Sequence, residues 1–196
     1  MKIYSNFEQG SEEWIKCRMG HFTASTAQAI ANKGKGLDTL VFEKVAEILT
    51  GKMKPSYTNE DIERGHELEN IARGMYEVET GRSVKQVGFV EHDSFSGCSP
   101  DGFVDDDGLI EIKCKDGANF VKYLYTKEIE TGHQWQMQMQ LWITKRKWCD
   151  YVVFNENFTK SISITRVYRD EVKISQIIAG VDMAIAQTKA IIGKIT

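Results

Sequence analysis

Asp101, Glu111 and Lys113 are the residues whose types and spacing point most directly to chemistry. Glu111 and Lys113 lie in Leu109-Ile110-Glu111-Ile112-Lys113-Cys114-Lys115, which alternates with period two as a half-buried strand does. Side chains two apart on a strand leave by one face, so Glu111 and Lys113 emerge together while Ile110, Ile112 and Cys114 face a core. Asp101 falls in a preceding strand, 98–104, with a turn at Asp105-Asp106-Asp107-Gly108. Hairpin pairing of the two strands brings Asp101 beside Glu111. Two carboxylates and one lysine at one spot suit metal-assisted phosphodiester hydrolysis. Carboxylates are hard oxygen ligands for Mg²⁺, and such a cation polarises a phosphate and acidifies water. A lysine there positions or deprotonates that water, or offsets charge in the transition state. The Ile112 carbonyl, between the two side chains, is a further candidate ligand. So short a spacing also recurs by chance on solvated strand faces, and Asp105, Asp106 and Asp107 read as a solvated turn.

The elements that must position these residues follow from capping and periodicity. Ser11 caps a short helix with Glu12 and Glu13 in its first turn, ended by Gly20. A second helix is predicted from Thr23-Ala24-Ser25 to about Asn32, a third from Asp38 to Thr50 with Gly51 as its stop, and a fourth from Asn59 to Thr80. Strands are predicted over 84–90, 98–104, 109–115, 151–154 and 162–167, with helices over 118–129 and 171–192. Segment 134–142 alternates like a strand, but its Gln, Met and Leu residues and its lack of β-branching favour a helix. Helices first, then mostly strands, predict a mixed α/β (α+β) fold: a central mixed sheet flanked by helices, as one domain over 1–196.

The composition narrows the function classes. The 196 residues carry 25 Lys+Arg against 28 Asp+Glu, a net charge of −3. This argues against a general polyanion coat and leaves local basic patches or metal ions as the means of holding nucleic acid. No apolar run reaches the roughly 20 residues of a membrane span. The polar start lacks a signal-peptide core, so the expected location is the cytoplasm. Cys17, Cys98, Cys114 and Cys149 show no zinc spacing and read as reduced, buried thiols more readily than as iron–sulfur ligands. The histidines have no metal-like spacing, and His66, beside an acidic helical run, is the one that merits a test.

Pro100-Asp101 followed by Glu111-Ile112-Lys113 resembles the motif of the PD-(D/E)xK nuclease superfamily, whose core is restriction-endonuclease-like. The run Gln9 to Gly20 with Thr23-Ala24-Ser25 resembles the opening of the phage lambda-type exonuclease family. Gly65-His66-Glu67-Leu68-Glu69-Asn70 resembles its helical glutamate motif, and Gln136-Met137-Gln138 with Trp142-Ile143-Thr144 its glutamine motif. These blocks run in family order from about residue 9 to residue 144, and the ordered set is far more specific than any one block. The resemblance implies a 5′→3′ exonuclease on linear double-stranded DNA, leaving a 3′ strand for phage-type recombination. Asp101, Glu111 and the Ile112 carbonyl would bind Mg²⁺, with Mn²⁺ able to substitute. Lys113 would serve the attacking water, and Glu69 is the helical acid near the metals. Arg18, Ser25, Ser99 and Gln138 match a 5′-phosphate pocket, with Gln136 or Gln134 as alternatives to Gln138 on a shifted register. The resemblance further implies a homotrimeric ring, a single-strand annealing protein as partner, and a phage or prophage protein in the bacterial host.

The residues support part of that pocket independently. Arginine offers a bidentate fork for phosphate. Ser25 lies at a helix start, where free N–H groups favour an anion. Ser99 has the parity of Asp101 and shares its face. The rival readings are a site-specific endonuclease with the same trio, a noncatalytic DNA-binding or scaffold protein, and a small-molecule metallohydrolase. The end-binding set disfavours the first and the complete trio the second. The lack of spaced histidines disfavours the third.

Overall fold

The computed structural model describes residues 1–53 and 60–196, the side chains of 60–66 excepted. The sequence 51–59 reads as a loop between two helices; its residues 54–59 and the side chain of His66 lie outside the described residues. Two mixed sheets organise the chain. The first runs β1 (Lys2–Tyr4), β4 (Phe89–Asp93), β5 (Ser96–Cys98) and β2 (Phe22–Thr23), with only β2 and β5 parallel. The second runs β3 (Val84–Lys85), β6 (Gly102–Val104), β7 (Gly108–Cys114), β8 (Trp148–Phe154) and β9 (Ile162–Tyr168), with only β7 and β8 parallel. Around them lie α1 (Glu12–Arg18), α2 (Ala27–Asn32), α3 (Lys35–Thr50), α4 (Glu60–Thr80), α5 (Gly117–Thr126), α6 (Thr131–Thr144) and α7 (Glu171–Ile195).

Two segments that read as single strands are each cut in two. The 84–90 stretch becomes β3 and the start of β4, and 98–104 becomes the end of β5 and β6, so each passes from one sheet to the other. Pro100 explains the second break, because it has no N–H to give to a ladder. At Gly88 a Cβ would lie 2.6 Å from the Phe7 ring and 2.7 Å from the Phe7 carbonyl oxygen, so only glycine fits. Gln9 ties the two crossings together: its Nε2 donates to the Val87 carbonyl at 3.2 Å and the Pro100 carbonyl at 2.9 Å. This seam between the sheets is where Ser99 and Asp101 sit.

In the second sheet Gly102 pairs with Ile110 and Phe103 with Leu109. That register, carried one step further, sets Asp101 opposite Glu111. Strand β7 is covered on both faces. Leu109 packs with Met137, Met139 and Tyr151 in one apolar cluster. Ile110 and Ile112 pack with Ala72 and Tyr76 of α4 in another. The face that carries Glu111 is therefore not a solvated one.

Several boundaries differ from the sequence-based expectation. Thr23 ends β2, and Ala24–Thr26 form a 3₁₀ turn before α2. Gly34, not Asp38, occupies the N-cap of α3, which begins one turn earlier. Residues 131–144 are helical, as propensity rather than alternation suggested. The C-terminal helix α7 lies on α2, burying Ile174, Ile177, Val181 and Ala184. At their crossing a Cβ on Gly180 would be 2.2 Å from the Ile30 carbonyl oxygen.

Candidate active site

Glu111 is the hub of the site. It is 1% exposed and carries three donors. Gln136 Nε2 donates to Oε1 at 2.7 Å, Gln140 Nε2 donates to Oε2 at 2.7 Å, and Lys113 Nζ lies 2.6 Å from Oε1. A carboxylate this deeply buried is tolerated because charge-assisted bonds replace its water. Gln136 and Gln140 are four apart and so share one face of α6. Burial works against the Lys113 ammonium, but Glu111 and Asp101 outweigh it and hold the group above its ordinary value.

Asp101 Oδ2 accepts the Ile112 N–H at 2.6 Å, which locks the loop at the seam onto β7. Its carboxyl is pushed well above the usual carboxylate range, by burial first, then by the charges of Glu111 and Glu69. Lys113 and the Ile112 N–H act the other way. Glu69 projects from α4 and pairs with Arg73 at 2.6 Å. Burial, then Glu69 and Asp101, push the Cys114 thiol up to about 11, so this cysteine stays protonated near the acids. A cleft of about 570 Å³ opens beside Asp101, walled by Glu69, Asn70, Arg73, Gln86 and Gly88.

A second set of residues meets nearby. The Trp14 Nε1 donates to Ser99 Oγ at 2.9 Å and to the Gly88 carbonyl at 3.1 Å. The Arg18 guanidinium stacks on the Trp14 ring, 4.0 Å from its centroid. Arg18 Nη2 donates to Thr23 Oγ1 at 3.3 Å, and Thr23 Oγ1 lies 3.3 Å from Ser25 Oγ. Arg18, Ser25 and Ser99 are thus linked through Trp14 and Thr23, two residues the sequence reasoning did not assign to the site. Among the described residues no carboxylate pairs with Arg18, and its buried Nε has no partner. Burial shifts the guanidinium downward, opposed by the Glu47 charge.

Gln138 is not part of this assembly. Its Nε2 donates to the Tyr168 carbonyl at 2.9 Å, and its Oε1 accepts the Asp170 N–H at 2.7 Å. Two residues along a helix is about 200° of rotation, so Gln138 faces away from Glu111. It fastens the end of β9 to the start of α7, while the acid-facing positions belong to Gln136 and Gln140. The helical spacing could have revealed that pair; the phase of the helix could not be read from sequence.

The donor set suits a small hard cation. Asp101 and Glu111 present two carboxylates across one register position, and the Ile112 backbone is held against them. Their mutual repulsion calls for positive charge beyond that of Lys113. Two carboxylates with few other ligands match the way Mg²⁺ is held, keeping much of its water. Among the described residues no group of three or more His, Cys, Asp or Glu side chains is placed to hold a metal ion, so the two carboxylates and the backbone are the protein's share of the site.

A mixed fold with carboxylates and lysine gathered where two strands change sheets defines the class of the protein, and the comparisons agree. Residues 13–147 match the YqaJ-like viral recombinase domain, and the chain belongs to that family. An alkaline exonuclease from Laribacter hongkongensis superposes with a TM-score of 0.86 at 34% identity, covering 94% of this chain and 95% of that one. The same enzyme in complex with dAMP gives 0.87 over the same shares. A phage-related exonuclease from Haemophilus somnus shares the fold, with a TM-score of 0.74 at 19% identity over 90% and 96% of the two chains. An uncharacterized protein of Acanthamoeba polyphaga mimivirus is 24% identical over 171 residues, and the chain spans 30% of that protein's length. Family membership supports a nuclease role. Among the described residues no helix is long and apolar enough to cross a membrane.

Proposed function

We propose that residues 1–196 form one nuclease domain, a Mg²⁺-dependent 5′→3′ exonuclease that degrades one strand of linear duplex DNA from 5′-phosphorylated ends. The observation that carries this reading is the linkage of two sites. The carboxylates Asp101 and Glu111 lie at the seam, and the Ser99 hydroxyl two residues before Asp101 is joined through Trp14 to Arg18. An enzyme that cuts within a strand needs no grip on a terminal phosphate, whereas one that starts from an end does.

Asp101, Glu111 and the Ile112 carbonyl would hold the divalent cation, Mg²⁺ or Mn²⁺, which when bound polarises the scissile phosphate and acidifies water. Lys113, held at Glu111, orients the attacking water and offsets charge on the phosphate oxygens. Gln136 and Gln140 fix the Glu111 carboxylate so that it need not reorganise during the reaction. Glu69 adds negative charge at the cleft beside Asp101. Arg18 grips the terminal phosphate with Ser25 and Ser99, which sets the distance from the end to the cut. The alkaline exonucleases it resembles and its viral recombinase family support a role in phage-type recombination. The 3′ strand would pass to a single-strand annealing protein, and a homotrimeric ring in the bacterial cytoplasm would retain the DNA.

Digestion of end-labelled linear duplexes tests this reading, using 5′-phosphate or 5′-hydroxyl ends, Mg²⁺ or EDTA, and a closed circle. Mg²⁺-dependent loss of the 5′-phosphorylated strand with the circle spared is the expected outcome. Cutting of the circle would make it an endonuclease, and no cleavage with any divalent cation would make it a binding or scaffold protein.

A further inference from the structure

Arg73 is buried, yet it carries a full charge into the wall of the cleft. Its Nη2 donates to Glu69 Oε1 at 2.6 Å, one helical turn back, and its Nη1 donates to Asn70 Oδ1 at 2.7 Å. With the Gln86 amide turned so that its oxygen faces the guanidinium, that oxygen accepts from Nη1 at 2.7 Å and Nη2 at 3.1 Å. One guanidinium therefore joins α4 to the segment where β3 passes toward β4. A lysine could not make these contacts together, since it offers a point charge rather than a planar fork.

The position of this clamp matters because of what Glu69 faces. Glu69 and Asp101 line the same cleft, and the Glu69 charge is felt at Asp101. The Glu111 charge is felt at Asp101 as well, offset by that of Lys113. Repulsion favours a Glu69 rotamer turned toward solvent, and its side chain is 26% exposed, so such rotamers are within reach. The pair with Arg73 opposes that swing and holds the carboxylate at the cleft.

The geometry points to Arg73 as a positioning residue that sets affinity for the divalent cation by fixing Glu69 beside Asp101. This rests on the cation reading of the site given above. Groups that orient metal-binding side chains from behind typically change metal affinity ten- to a hundred-fold when removed. Arg73 acts through Glu69, so its effect vanishes when Glu69 cannot be held.

Calorimetric titration of Mn²⁺ into the DNA-free protein tests this without using activity. Arg73→Gln should weaken binding about ten-fold or more, with Arg73→Lys in between. In a Glu69→Gln background, adding Arg73→Gln should change affinity by less than about two-fold, the non-additivity expected of residues acting as a unit. Wild-type or tighter affinity in Arg73→Gln would overturn the proposal, as would an equal loss in both backgrounds. If Arg73→Gln does not fold, Arg73→Lys carries the test, and wild-type affinity there overturns it. A wild-type protein that binds no Mn²⁺ would instead remove the cation site itself, and the proposal with it.

Discussion

The two halves of the site are opposite in their bonding. Around Glu111, donors crowd one buried carboxylate: two amides and an ammonium. Around Arg18, donors outnumber acceptors. The guanidinium is half-buried, stacked on Trp14, and bonded by a long contact to one hydroxyl, with its Nε enclosed. The first half is held rigid from behind by α6, and the second retains capacity for an anion. An enzyme that must place a bond accurately and also capture and release ends has use for both. A buried charge supplied with partners gives precision, and one short of partners gives affinity for the missing charge.

Removing the hub should have the largest effect. Glu111→Ala is expected to abolish cleavage and, by leaving Lys113, the buried Gln140 amide and the part-buried Gln136 amide without their acceptor, to cost about 3–5 kcal/mol in denaturant unfolding. A fully stable Glu111→Ala protein would mean that the carboxylate is not the keystone of the α6 contact. Gln140→Leu sharpens the point, because it removes one donor from behind the acid. We expect kcat to fall roughly ten- to a hundred-fold, with little change in KM for DNA, measured in single-turnover digestion.

On the other side of the comparison, Arg18→Ala should erase most of the preference for 5′-phosphorylated over 5′-hydroxyl ends while cleavage itself persists. An unchanged ratio of the two rates would take Arg18 out of the pocket. Gln138→Leu should have the smallest catalytic effect. It should leave activity near wild type and lower stability by about 1–3 kcal/mol in urea unfolding, since the Asp170 N–H and Tyr168 carbonyl lose their partner. A large loss of end preference with unchanged stability would restore Gln138 to phosphate binding.

The chemistry-bearing strand was legible because parity and hairpin register are local: Asp101 and Glu111 are ten residues apart, and the turn between them announces itself. Helix α1 was legible from its cap and stop, α4 from the glycine that ends it, and α7 from its amphipathic period. The change of sheet at Pro100 was not, because the pairing partners of β5 and β6 lie on other elements. The roles of Gln136 and Gln140 were hidden for a related reason. A period gives the spacing of a helical face, while which face meets the acid is decided by packing. Arg73 left no signal beyond its place four residues after Glu69, a spacing shared by many surface pairs.

The span of chain that each half must close also orders its assembly. Asp101 and Glu111 are brought together by a short hairpin, whereas Trp14 must find Ser99 across 85 residues of sequence. Closing the longer loop costs more entropy and is the slower event. During refolding, the strand pair at β6 and β7 should therefore gain hydrogen-exchange protection before the Trp14 indole is buried. On the proposed function, a chain caught between those stages would have its paired acids before its grip on a DNA end.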